Sequence, residues 1–245
     1  MVFKRLERNL IQLDSVDSTN DHAAHLVRSS SVSSGTIVIA REQYSGRGQR
    51  SNVWTTEAGK NLTCSIILFP TISAKHSFYL NIIVSLAVRK TLEDLKIQAK
   101  IKWPNDILVN GKKIAGILVD NQLQGDKIAV SIAGLGLNVN QKHFEGLTEA
   151  TSVINELSRE IELMDVFDQF YSYLDFYYNL LLESNFELLK KHYYNHLYLI
   201  NEEHDFEDSN GQFTGKIIGI DENGFLQIQT ESGKRSFDIK EVKYL

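Results

Sequence analysis

The chain has a single cysteine, Cys64, so no internal disulfide framework can staple it, and the lone thiol fits a reducing compartment. Its apolar runs are all far shorter than the roughly 20 residues that a membrane-spanning helix needs. The first residues, Met1-Val-Phe-Lys-Arg-Leu-Glu-Arg8, lack the apolar core of a signal peptide. The expectation is a cytoplasmic protein with no membrane partner. Positive charge is not in surplus either: 26 Lys and Arg stand against 31 Asp and Glu, for a net charge of −5. A duplex DNA-binding protein would carry a broader basic footprint, so no DNA partner is expected. Repeats and low-complexity segments are absent. No serine sits in a recognisable nucleophile elbow, and the seven histidines show neither zinc spacing nor an acid partner. His192 and His196, an i, i+4 pair, read as helix surface. Cys64 lies in the strand-like Asn61–Phe69, where a buried structural thiol is expected rather than a nucleophile.

What is present is ordinary in amount and unusual in arrangement. With 245 residues and 42% hydrophobic content, the chain can bury a proper core, as one large domain with a small appendage. N-cap residues at Asp17-Ser-Thr-Asn-Asp21 precede Ala23, Ala24, Leu26 and Val27, which predicts a helix start. Apolar residues at helical spacing predict a second helix within Lys75–Leu95. Ala99–Trp103 reads as a strand, and Asn110-Gly111 marks a tight hairpin between Ile107–Val109 and Ile114–Val119. Gln124-Gly-Asp126 turns the chain again into Ile128–Ile132. Helices before consecutive hairpins argue for an α+β fold with a mixed or antiparallel sheet and against a doubly wound one. Residues 161–200 read as largely helical, with their aromatics in the core. From Phe206 onward, turns at Asn210-Gly, Asn223-Gly and Ser232-Gly space short strands evenly, as in a small barrel. The expected domains are therefore 1–203 and 204–245.

The densest chemistry lies in Tyr44-Ser-Gly-Arg-Gly-Gln-Arg50, followed by Trp54. Its glycines let backbone N–H groups approach a ligand, its arginines match carboxylate or phosphate, and the indole offers a stacking face. Lys102-Trp-Pro-Asn-Asp106 stands at a strand end, and Pro104 biases Trp103 toward extended geometry. Lys112 reads as a solvated lysine beside a turn. Lys113 differs, because Gly116 removes a side chain where something needs to approach the sheet. In Gly134-Leu-Gly-Leu-Asn138, the glycines fit a ligand slot or a bulged strand equally well. With no nucleophile, this set suits substrates that react with each other while the protein orients them and stabilises charge.

Taken in order, Ser18-Thr-Asn20, Gly46-Arg-Gly48, Lys102-Trp-Pro-Asn-Asp106, Lys113-Ile-Ala-Gly116 and Gly134-Leu-Gly-Leu-Asn138 resemble biotin protein ligase, from about Ser15 to Asn140. The resemblance implies a class II synthetase-like catalytic domain, a mixed sheet with flanking helices, and a C-terminal SH3-like barrel. It implies joining of biotin to ATP as biotinyl-5′-AMP and transfer to a lysine of a biotin carboxyl carrier domain of acetyl-CoA or a related carboxylase. By the same resemblance, Ser18, Thr19, Asn20 and Gln43 line the ureido end of biotin. Gly46, Arg47, Gly48 and Gln49 follow its tail and carboxylate, and Lys113 and Gly116 lie beside that carboxylate. Trp54 would stack on adenine, and Arg50, Asn105 and Asn138 would complete the adenylate contacts. Lys102, Asn105 and Asp106 fit the triphosphate region, with Asp106 as the Mg²⁺ ligand. Lys113, Arg47 and Lys102 are the implied catalytic cations. Gln49, Ser51 and Asn52 depart from a frequent family form with arginine and Gly-Arg at those places; glutamine hydrogen-bonds an anion without neutralising it. Some family forms carry an N-terminal DNA-binding module, and the short leader before Ser18 leads to the expectation of a form without one. A monomer or weak homodimer is expected. The rival readings are a lipoate or octanoate ligase or transferase of related fold, and a non-catalytic small-ligand sensor.

Overall fold

The computed structural model describes residues 5–49 and 52–245 of the chain. Arg50 and Ser51, both singled out above, lie outside the described residues.

Strand β1 (Asn9–Val16), helix α1 (Thr19–Ser29) and strand β2 (Thr36–Gln43) open the fold, and β1 pairs with β2 in parallel. All later pairings in this sheet are antiparallel. They involve β3 (Leu62–Leu68), β4 (Ile72–Ser73), β5 (Lys100–Lys102), β6 (Asp106–Val109), β7 (Lys112–Gln124) and β8 (Lys127–Leu137). The eight strands run in the order β1-β2-β3-β8-β7-β6-β5, with β4 added beside β8. At the β6–β7 hairpin, Asn110 and Gly111 take φ of 51° and 78°, the paired positive angles a two-residue turn requires.

The two faces of the sheet are covered unequally. Helix α2 (Phe78–Asp94) is buried almost all round and packs with α4 (Leu163–Leu182) and α5 (Phe186–Tyr194) over the large core. A short helix α3 (Val153–Leu157), which periodicity does not signal, precedes α4. On the opposite face α1 covers a smaller cluster of Ala23, Val38, Ile67, Val130 and Ile132. Strand side chains alternate between faces, so the α1 face of β8 continues from Val130 and Ile132 to Gly134 and Gly136. On β3 it continues from Ile67 to Ser65 and Thr63. Where α1 begins, the apolar stripe beneath it runs out and becomes glycine and hydroxyl.

A second, five-stranded antiparallel sheet follows, in the order β12-β11-β10-β9-β13. Its strands are β9 (Glu203–Asp208), β10 (Gly211–Ile220), β11 (Leu226–Thr230), β12 (Gly233–Phe237) and β13 (Lys243–Tyr244). It shares the large core: Phe206, Ile217, Leu226 and Ile228 belong to the same cluster as Phe78, Trp103 and Tyr193. Trp103 Nε1 donates to the Gly224 carbonyl at 2.9 Å, and Tyr194 Oη donates to that of Ile220 at 2.9 Å.

Among the described residues no helix is long and apolar enough to cross a membrane. Cys64 is fully buried, and burial pushes its thiol up to about 12, far from a reactive thiolate. The reading of His192 and His196 as one helix surface is corrected. α5 ends at Tyr194, and His196 lies in the following turn, where its carbonyl accepts from Ile101 N at 2.8 Å. Partial burial there, with Arg89 nearby, lowers its imidazole to about 4.

Candidate active site

Three glycines define the floor. Gly116 on β7 pairs with Gly136 on β8, and Leu118 pairs with Gly134, in an unbroken register, so this is a bare patch of sheet and not a bulge. The bulge in this hairpin falls farther on, between Gln122 and Leu123. A Cβ on Gly134 would collide with Asn20 Oδ1, and one on Gly136 with the Trp54 indole. On Gly116 it would stand 3.1 Å from Trp54 Cζ3 and 3.3 Å from Lys113 Cε. The glycines therefore make room for Asn20 at one end and Trp54 with Lys113 at the other. Above them lies a cavity of about 610 Å³.

The end under α1 is buried and tied together by hydrogen bonds. Ser18 caps the helix through Asp21 N at 3.4 Å, which places Thr19 and Asn20 in its first turn, facing the sheet. Thr19 N and Oγ1 both donate to Gln43 Oε1, at 2.8 and 3.0 Å. Asn20 Nδ2 donates to Asp120 Oδ2 at 3.0 Å. The fully buried Ser65 hydroxyl lies 2.6 Å from Asn20 Oδ1 and 2.7 Å from Thr19 Oγ1, its one proton serving either. Gln43 is thus fixed with its oxygen occupied, and among the described residues its Nε2 has no acceptor. Ser65 and Asp120 were missed in the sequence. Strand parity could have put Ser65 on this face, but nothing local signals Asp120.

The loop end is charged and half exposed. Gly46 packs its backbone against Trp54, whose N donates to Gly46 O at 2.8 Å, while Gly48 N donates to Asn52 O at 2.7 Å. The described arms of the loop are bridged at Arg47 and Val53. Arg47 Nη1 pairs with Asp21 at 2.6 Å and reaches Asp120 at 3.6 Å. Trp54 Nε1 is buried, with no hydrogen-bond partner among the described residues. Across the floor, Lys113 Nζ pairs with Asp106 at 2.6 Å and lies 5.6 Å from the centre of a Trp54 ring.

Of the residues singled out in the sequence, Ser18, Thr19, Asn20, Gln43, Trp54 and Lys113 line the cavity. So do Arg47, Gly48 and Gln49 of the loop, and Lys102, Asn105, Asp106 and Gly116. Asn105 spends its Nδ2 on the Ile117 carbonyl at 2.6 Å. Gly46 does not line this cavity; it lines an adjacent one of about 470 Å³. Asn138 does not line the main cavity; it is buried, with its Nδ2 donating to Thr151 O at 3.0 Å. The connection from β12 into β13 supplies a wall whose residues sequence reasoning missed: Ile239, Lys240, Val242, Lys243 and Tyr244 line the cavity as well.

No group of three or more His, Cys, Asp or Glu among the described residues could hold a metal ion by itself. Mg²⁺ rarely needs such a cage, because one or two carboxylates with substrate phosphates suffice. Asp106 fits that mode: Lys113 occupies its Oδ1, and among the described residues Oδ2 accepts no hydrogen bond.

Comparison with known proteins agrees with the geometry. The profile of the biotin/lipoate A/B protein ligase family matches residues 13–138, and that of the biotin protein ligase C terminal domain matches residues 200–239. The bifunctional ligase/repressor BirA of Bacillus subtilis is 33% identical over 231 residues, covering 92% of this chain and 71% of its own length. The biotin–[acetyl-CoA-carboxylase] ligase of Paracoccus denitrificans is 36% identical over 126 residues, half of this chain and 51% of its own. The structure of biotin protein ligase from Aquifex aeolicus in complex with biotin and ATP superposes with a TM-score of 0.80 at 28% identity. That match covers 98% of this chain and all of the other.

Proposed function

The chain belongs to the biotin/lipoate A/B protein ligase family, and from that premise we propose what each part of its cavity does. The protein activates biotin with ATP as biotinyl-5′-AMP and transfers the biotinyl group to a carrier protein. The reading of the cavity rests on one observation: five segments far apart in sequence converge on one bare patch of sheet with a buried polar network at one end and cations at the other.

The network under α1 takes the head of biotin. Its ureido group has donors and an acceptor that would meet Ser18, Thr19 and the free Nε2 of Gln43. A dithiolane or an alkyl chain there would leave buried polar groups unmatched, which is the strong form of discrimination. The tail then leads away from that network toward Arg47 and Lys113. A biotin carboxylate oxygen attacks the α-phosphorus of ATP and pyrophosphate leaves. Lys113, Arg47 and Lys102 stabilise the charge that gathers as two anions meet. Asp106 would hold Mg²⁺ that arrives with the phosphates and neutralises part of their charge. Trp54 covers the adenylate; Asn138 supports the cavity from behind. In transfer, the ε-amine of an acceptor lysine attacks the acyl carbonyl, loses its proton and displaces AMP. We place the acceptor in a biotin carboxyl carrier domain and the domain boundary at Glu203.

Biotin-dependent release of pyrophosphate from ATP tests the reading. Release with biotin, and none with lipoate or octanoate in its place, is the expected outcome. Equal release with lipoate would move the protein to the other branch of its family, and ligand binding without turnover would make it a sensor.

A further inference from the structure

Two of the lysines that line the cavity, Lys102 and Lys113, are held in different ways. Lys113 is matched by the Asp106 carboxylate at 2.6 Å. Lys102 stands at the end of β5, and its ammonium makes no ion pair or hydrogen bond among the described residues. Its ammonium lies 4.7 Å from the centre of the Tyr244 ring. That ring comes from β13, the last strand of the second sheet, and it lines the same cavity. It is firmly seated: Tyr244 pairs with Phe206 across β13 and β9, and their rings meet edge to face at 5.4 Å. Tyr198 and His204 flank it at 6.4 and 6.5 Å.

We propose that Tyr244 is a positioning residue for ATP: its ring holds the Lys102 ammonium at the cavity without neutralising it. A carboxylate in that place would fix the lysine equally well but would compete with phosphate for its charge. An aromatic face attracts the cation through its quadrupole without cancelling its charge, and leaves the N–H donors not aimed at the ring free for an incoming anion. The second sheet thereby contributes to nucleotide affinity through a side chain that never needs to touch the nucleotide. The proposal rests on the reading of Lys102 as a phosphate contact.

Steady-state pyrophosphate release on the full chain, with ATP and biotin varied in turn, separates the two. Tyr244→Leu is expected to raise the KM for ATP roughly three- to tenfold, the worth of a partly desolvated cation–π contact. The KM for biotin should stay within about twofold by the same reasoning, because the head network is remote from Tyr244. Tyr244→Phe, which keeps the ring, should restore the wild-type ATP response. Replacing Tyr244 with 3,4,5-trifluorophenylalanine keeps the shape and the fold but depletes the ring face, and should reproduce the defect. In a Lys102→Gln background, the loss of the ring should add nothing. A trifluorinated or leucine variant that is folded and has wild-type ATP KM, while Lys102→Gln is impaired, would overturn the role of Tyr244 alone. An unimpaired Lys102→Gln would overturn both it and the reading of Lys102. A wild-type chain without biotin-dependent release would overturn the function itself.

Discussion

The two ends of the cavity are built on opposite principles. Under α1, Thr19, Asn20 and Ser65 are each less than 5% exposed, and their polar atoms are bonded to one another or to Gln43 and Asp120. At the loop, Arg47 is about half exposed, Lys113 a little less, and their partners are carboxylates: Asp21 and Asp120 for Arg47, Asp106 for Lys113. Buried polar groups are costly to leave unmatched, so the first arrangement selects a head group. Exposed charges can change partners as charge develops, so the second suits chemistry. The glycine floor joins them, and Asp120 touches both, through Asn20 at 3.0 Å and Arg47 at 3.6 Å.

The sharpest way to break this contrast is at Lys113. Lys113→Ala is expected to lower adenylate formation by ~10² to 10³ in kcat, the usual effect of deleting a charge-stabilising group. The side chain follows a hairpin turn and is partly exposed, so the melting transition should hardly move. Biotin KM should rise far less than kcat falls, because the head network is untouched and only one contact to the carboxylate is lost. Normal biotin-dependent pyrophosphate release in this variant would remove Lys113 from the mechanism.

A smaller effect of opposite character is expected at Ser65. Ser65→Ala leaves Asn20 Oδ1 without its donor in a fully buried setting, a loss of about 1–3 kcal/mol. Biotin KM should rise about tenfold, while ATP KM and the salt dependence stay put. The melting transition should fall as well, unlike that of Lys113→Ala. If ATP KM rose in parallel, the two ends would be one coupled unit and the contrast would fail.

The sequence was legible where spacing and turn chemistry are local. The helix start at Ser18, the Asn110-Gly111 hairpin and the change of character near Glu203 follow from caps, paired positive φ and strand-turn rhythm. The residues that converge on the cavity were visible as motifs. What they build was not. Gly134 and Gly136 read equally as bulge or slot until β7 and β8 were paired in register, because only a neighbouring strand decides between them. Ser65 carries no motif and matters only because α1 lies over it. Tyr244 stands 142 positions from Lys102, from 244 − 102, and no period within a chain reports such a contact. The shared core of the two sheets was hidden for the same reason: a shift in composition marks where strands change partners, not whether the core stops.

The smallest expected effect concerns the ion pair between Arg47 and Asp21. Both side chains are about half exposed, at 45% and 55%, and such pairs are worth ~0–1 kcal/mol. Asp21 also sits in the first turn of α1, where a negative charge favours the helix by a few tenths of a kcal/mol. Asp21→Asn should therefore lower the melting transition by only about a degree. Its effect on the ligand runs the other way. Asp21 competes for the guanidinium that is proposed to meet the biotin carboxylate, so removing its charge should lower biotin KM by about twofold at low salt. At high salt, where exposed charges are screened, wild type and variant should converge. The head network should not respond to salt at all. A tenfold rise in biotin KM for Asp21→Asn, persisting at high salt, would show that the loop end is as tightly pre-wired as the end under α1.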